Sequence, residues 1–166
     1  PSASENSFWF DRLRDNKYVL SSAVSQEAAG GLNRWFDWSD GSFSQFSGMD
    51  NYLFYNWRRA RGFFDITSWV GTGSTRTVTH NLGAVPEMML VKNRSQGYAW
   101  SVYHSGMGAT KYATLNSNAN PVTNAEAWND TAPTSSVLTV KDDGRVNLSN
   151  DEYIAYLFAS VAGISK

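Results

Sequence analysis

Tyr153-Ile-Ala-Tyr-Leu-Phe158 is apolar or aromatic at every position, and Ala-Ser-Val-Ala and Gly163 follow it. A short run of this kind, with apolar residues on both pattern faces, reads as a strand buried on both sides at the centre of a sheet. An earlier stretch has the same form. Tyr52-Leu-Phe-Tyr-Asn-Trp57, then Arg-Arg-Ala-Arg and Gly62, stands 101 residues upstream. Weaker echoes precede the pair: Trp9 answers to Trp100, and Trp35-x-Asp37 to Trp128-x-Asp130, at offsets of 91 and 93. Drifting offsets are what loop insertions and deletions produce. Internal repetition of this length predicts an array of interaction modules.

The rest of the second half is built of short strands and turn chemistry. Residues 63–70 are rich in aromatic and β-branched types and end at Gly71-Thr-Gly73. Arg76-Thr-Val-Thr79 is a short strand, and His80-Asn-Leu-Gly83 a tight turn in which Asn and Gly tolerate positive φ. Pro86 leads into Met88-Met-Leu-Val91, an apolar run with the look of a buried strand. Residues 98–104 alternate, 111–115 form another strand, and 116–124 are polar and loop-like. After the strand at 136–140, Asp142-Asp-Gly144 reads as a hairpin-type turn.

About seven strands in roughly 100 residues, with no sustained helical spacing, predict an all-β fold. The expected architecture is antiparallel β-sandwich modules in tandem, jelly-roll-like. Residues 63–166 form a complete repeat, and residues 1–62 the rear part of a diverged, incomplete one. No counterpart of 63–92 precedes Ser7, so an upstream segment or another chain is expected to complete the first unit, because open sheet edges are avoided. A single 166-residue domain with a locally echoed strand pattern is the alternative. The start at Pro1 without Met suggests a processed chain or a fragment.

Composition narrows the function. Charged residues make up 17% and aromatic residues 14%, against about 25% charged in ordinary domains. A net charge of −1 supplies no field to attract nucleic acid or an anionic membrane. With no cysteine, disulfides, zinc–thiolate sites and thiol nucleophiles are excluded, and folding in a reducing cytosol fits. No apolar run reaches the roughly 18 residues of a membrane span, and no signal-peptide pattern opens the chain.

Motifs for catalysis are thin. His80 and His104 are the only histidines. A metal site would need both with carboxylates, whereas His80 in a turn more readily bonds backbone. Neither has a companion Gly-x-Ser-x-Gly elbow. Seven of the 15 acids stand beside Gly, Asn or Ser, as Asp40, Asp143 and Asp151 do, at turn positions, so a carboxylate pair for glycoside cleavage is not indicated. Gly71-Thr-Gly73 and Gly106-Met-Gly108 open no helix and build no phosphate cradle. The acidic stretch from Asp142 to Asp151 misses calcium-loop spacing. No catalytic residue, metal or cofactor is expected. Candidate interaction residues remain. Trp38, Phe43 and Phe46 lie in a Gly/Ser-rich region suited to exposure, and Arg58, Arg59 and Arg61 form the basic cluster. That cluster suits a solvated strand end or an interface ion pair better than a nucleic-acid site. Exposed aromatics fit either a sugar or a protein partner.

Gly62-Phe-Phe-Asp-Ile-Thr-Ser-Trp-Val-Gly-Thr-Gly73 and Thr79-His-Asn-Leu-Gly-Ala-Val-Pro-Glu-Met-Met-Leu-Val-Lys-Asn-Arg94 resemble a repeated module of bacteriophage structural proteins. Trp100-Ser-Val-Tyr-His104, Leu115-Asn116, Thr131-Ala-Pro-Thr134 and the closing Tyr153-Ile-Ala-Tyr-Leu-Phe-Ala are similar to it too. Such modules occur in virion proteins of tailed phages of marine bacteria and cyanobacteria. The resemblance covers 62–166, and 7–62 as the rear of a diverged copy. In that first copy Asp40-Gly-Ser-Phe43 and Tyr-Asn-Trp-Arg replace the family's elements, which sets the surfaces of the two units apart. It implies a non-enzymatic virion protein, made and assembled in the host bacterial cytoplasm. A tail or tail-fibre module is expected, joined to other virion proteins, homo-oligomeric with a trimer favoured, and presenting loops to a host-surface glycan or receptor. Capsid decoration is the alternative, as is a carbohydrate-binding or depolymerase module.

Overall fold

The structure is a computed structural model that describes residues 7–11, 13–14, 17–29, 55 and 57–163. In chain order its elements begin with β1 (Phe8–Trp9), β2 (Lys17–Leu20) and β3 (Ala28–Ala29). Next come β4 (Phe64–Val70), β5 (Arg76–Thr79), β6 (Met88–Asn93), β7 (Ser101–His104), β8 (Lys111–Thr114) and β9 (Val122–Thr123). A one-turn helix α1 (Ala125–Trp128), β10 (Val137–Val140) and β11 (Glu152–Phe158) complete it.

β11 is the centre of an antiparallel sheet ordered β4-β11-β6-β7-β8-β9. Its side chains alternate between two separate cores. Tyr153, Ala155 and Leu157 enter one with Trp69, Met89, Val91 and Tyr103. Ile154 and Tyr156 enter the other with Phe64, Leu90 and Trp100. That is why the strand shows no polar face: residues 153–157 are all buried. Each large side chain so buried contributes roughly 1.5–3 kcal/mol.

On the first face lies a two-stranded sheet, β5 against β10, with Leu138 opposite Val78. These two and Val140 pack onto the first core. Helix α1 adds Trp128, whose indole N–H donates to the Lys111 carbonyl at 3.0 Å. Asn124 caps the helix by accepting from the Glu126 N–H, and Asn129 ends it at φ 52°. The polar stretch before it thus works as a cap. On the second face lies a three-stranded sheet, β1-β2-β3, from which Val19 enters the second core and Trp9 packs against it. Both faces of the central sheet are therefore covered, and the fold is an all-β sandwich of antiparallel sheets.

The hairpin expected at Asp142-Asp-Gly144 is not formed. β10 pairs with β5, whereas β11 pairs with β4 and β6. The chain after Val140 instead crosses from the covering sheet to the central one. Asp143 organises that crossing: its carboxylate accepts from the Arg145 N–H at 2.8 Å, and its carbonyl from Val146 and Asn147. Gly144 is needed for closeness, since a Cβ there would stand 2.5 Å from Tyr98 Cζ.

The meander β1-β2-β3 has the same order and direction as β7-β8-β9. Lys17-Tyr18 opens β2 as Lys111-Tyr112 opens β8. The ladders also shift one echo. Trp9 faces Val19 and Val102 faces Ala113, so by register Trp9 answers to Val102, two residues beyond Trp100. A shift of two keeps the side chain on the same face of its strand.

Candidate functional site

Trp38, Phe43 and Phe46 lie outside the described residues. Arg58, Arg59 and Arg61 lie on the exposed approach to β4. Arg59 is held there. Its Nε stands 2.8 Å from Asp65 Oδ1, and its guanidinium donates to the Ile66 carbonyl. The Arg61 side chain lies against Gly83, which takes φ 72°. Beside them Tyr55 is 74% and Trp57 49% exposed. One side of Trp57 rests on Phe63, Phe64 and Phe158, with centroids 5.5–5.9 Å away. Aromatic and basic groups thus share one surface.

The histidines serve turns. His80 Nδ1 accepts the Leu82 N–H at 3.3 Å, so Nε2 carries the proton, facing the Thr134 carbonyl at 3.2 Å. Burial pulls its pKa below the ordinary histidine value, which favours this neutral tautomer. His104 Nδ1 accepts from the Gly106 N–H. The carboxylates of the 142–151 loop are engaged likewise: Asp143 with Arg145, and Asp151 with Asn93 and Gln96. Among the described residues no three His, Cys, Asp or Glu side chains gather as metal ligands would.

The most elaborate polar constellation lies where residues 7–29 meet the central sheet. Asp11 Oδ2 receives Arg14 Nε at 2.6 Å and the Tyr156 hydroxyl at 2.6 Å. Arg14 also donates to the Trp9 carbonyl at 2.7 Å and to the Tyr156 oxygen at 2.8 Å. The Arg14 side chain has no exposed surface. Burial pushes the Tyr156 hydroxyl well above its usual pKa, keeping it a proton donor. Nearby, Glu27 takes both N–H arms of Arg94 at 2.9 and 3.0 Å, with Lys17 at 3.3 Å. Two bonds to carbonyls of the segment complete the contact: Trp100 Nε1 donates to Leu20 at 2.7 Å, and the buried Lys92 ammonium to Val24 at 3.2 Å, while also donating to Tyr98 of the domain.

This arrangement holds residues 7–29 against the central sheet. Buried pairs of opposite charge add little net stability, yet removing one partner is costly, so they enforce one register. Sequence reasoning missed Asp11, Arg14, Glu27, Lys92, Arg94 and Tyr156. The available signal was a tyrosine, Tyr156, inside the most aliphatic strand, together with the Asp11-Arg-Leu-Arg14 spacing.

A family model, the domain of unknown function DUF7483, matches residues 57–166, about two thirds of the chain. The constellation thus joins that domain to residues outside it. No curated protein and no solved structure matches the chain.

Proposed function

We propose, for a chain that belongs to the DUF7483 family, a structural role in a bacteriophage particle: a non-enzymatic tail or tail-fibre module that assembles with copies of itself and with other virion proteins. One observation carries the assembly part. The domain at 57–166 presents part of a sheet face to residues 7–29, and binds them through a buried, register-specific polar network. Modules built to be joined need such a face. The phage part rests on the resemblance of 62–166 to repeated virion modules. The shared order of β1-β2-β3 and β7-β8-β9 supports the tandem reading, in which the N-terminal residues are the rear of a preceding unit.

The half-exposed Trp57 with Tyr55, Arg58 and Arg61 offers a surface for a host glycan or receptor. A capsid decoration protein is the second reading, since the same joint would seat a module on a shell. Locating the protein in a cryo-EM map of the whole particle decides between them. Density in the tail or fibres is expected, density on the shell gives the second reading, and absence from purified particles overturns both. Retention on host glycans that falls when Trp38→Ala or Trp57→Ala is introduced would identify attachment. Release of reducing ends from host polysaccharide would overturn the non-enzymatic assignment.

A further inference from the structure

Among the described residues, the strands of 7–29 pair only with one another and add no strand to the six-stranded sheet. A main-chain bond ties them to the domain, from Glu27 N–H to the Arg94 carbonyl at 2.9 Å. The remaining joins come from side chains: Tyr156, Trp100, Lys92 and Arg94 on the domain, and Trp9, Asp11, Arg14, Val19 and Glu27 on the segment. Undocking would break no ladder. Docking covers apolar surface on both parts, because a meander of this size is unstable alone and the vacated face would expose Leu90, Trp100, Ile154 and Tyr156. The chain between them, residues 30–56, has 27 residues, enough to reach roughly 90 Å when extended. Chain length therefore does not restrict docking to the same molecule.

We propose that residues 7–29 are an exchangeable arm, and that the second face of the 57–166 domain accepts this arm from another copy of the chain. Contacts made within one copy and between two are identical, so proximity alone chooses between them. A tethered arm faces its own domain at an effective concentration of about a millimolar. Dilute chains therefore dock their own arms, and chains held side by side in an assembly exchange them. The inference holds wherever the protein works, and so stands apart from the virion reading.

A charge swap across Glu27 and Arg94 tests this in full-length chains. One variant carries Glu27→Arg and the other Arg94→Glu. Each alone sets like charges against each other, so its arm is cut readily by protease and it runs as a monomer. Mixed, each arm matches the face of the other variant. An equimolar complex of the two is expected, with arm cleavage slowed about tenfold, the effect of a 1.4 kcal/mol gain in docking. A mixture that stays monomeric with arms as labile as before overturns the proposal. Wild-type sequence gives an independent reading if either variant misfolds. A specific protease site is placed within 30–56 and cut after folding, and excess labelled arm peptide is added. Uptake of label with release of the original arm is expected. An original arm that is never replaced, or one that leaves without the labelled peptide binding, overturns exchange.

Discussion

The Tyr156 hydroxyl donates to Asp11 Oδ2 at 2.6 Å across 145 residues of chain, and in the same place accepts from Arg14 at 2.8 Å. One phenol thus bridges a buried acid and a buried base that face each other on the arm. Tyr156→Phe keeps the ring that packs on Trp9 and Trp100, and removes only the bridge. Asp11 then keeps the Leu13 N–H and Arg14 but loses one of the two donors to Oδ2, at a cost of about 1 kcal/mol. The loss should appear as faster cleavage of residues 7–29, with the domain's own unfolding midpoint changed much less. Equal loss in both would show that the hydroxyl supports the domain rather than the joint.

Gly71 marks where the crossing loop closes on β4. A Cβ at this position would stand 2.0 Å from the Leu148 carbonyl oxygen and 2.9 Å from Tyr153 Cε2. The backbone here is fixed by Gly71 N–H to Asp151 O at 2.7 Å and Asn150 N–H to Gly71 O at 3.0 Å. No flexible atom is available to yield. Gly71→Ala should destabilise by about 1–3 kcal/mol or more, read as a lower urea midpoint with an unchanged slope. Gly62→Ala is the converse case: it meets nothing within 4 Å but stands at φ 81°, a strain Gly71 does not carry, and so isolates the conformational cost from the steric one.

β4 is an edge strand, and arginines blunt it. Phe64 exchanges both main-chain bonds with Ala60, so alternate residues point their polar groups to the same free side. On that side Arg59 occupies the Ile66 carbonyl, and Arg76 the Val70 carbonyl at 3.1 Å. Charged caps of this kind deter edge-to-edge pairing. The double variant Arg59→Ala with Arg76→Ala should fold normally by circular dichroism yet self-associate in concentration-dependent light scattering. A variant as monodisperse as wild type would leave these side chains without a protective role.

Much of the central sheet was legible because its strands are short, apolar and bounded by turn residues. The apolar runs at 88–91 and 153–158 read as doubly buried, and residues 89–91 and 153–157 are. The turn at 142–144 misled because an Asp-Gly pair marks a reversal of direction without saying which strand receives the chain. Here the partner of β10 is β5, 58 residues earlier by the pairing of Val137 with Thr79. The arm's joint was hidden for another reason. Pattern reading assigns charge to solvent, whereas Asp11, Arg14 and Lys92 are buried, and the partners that join the two parts, Tyr156 and Val24, lie 142 and 68 residues away from Arg14 and Lys92.

Lys92 gives the joint a pH dependence whose sign follows from its surroundings. Its ammonium is buried beneath the arm with two carbonyl partners, and burial pulls its pKa down to about 8. An unfolded lysine titrates near 10.4. Between about pH 8 and 10 the unfolded chain therefore holds a proton that the folded chain has released, and stability rises with pH. Below about 8 both states are charged and the effect is constant. Above about 10 buried Tyr103, Tyr153 and Tyr156 act oppositely, because burial raises their pKa values and the unfolded chain ionises first. Urea midpoints measured every half unit from pH 7 to 10 should climb by the equivalent of about 1–2 kcal/mol. In Lys92→Met the climb should vanish, at the cost of two carbonyls left without a donor. An undiminished climb in that variant would assign the titration to another group.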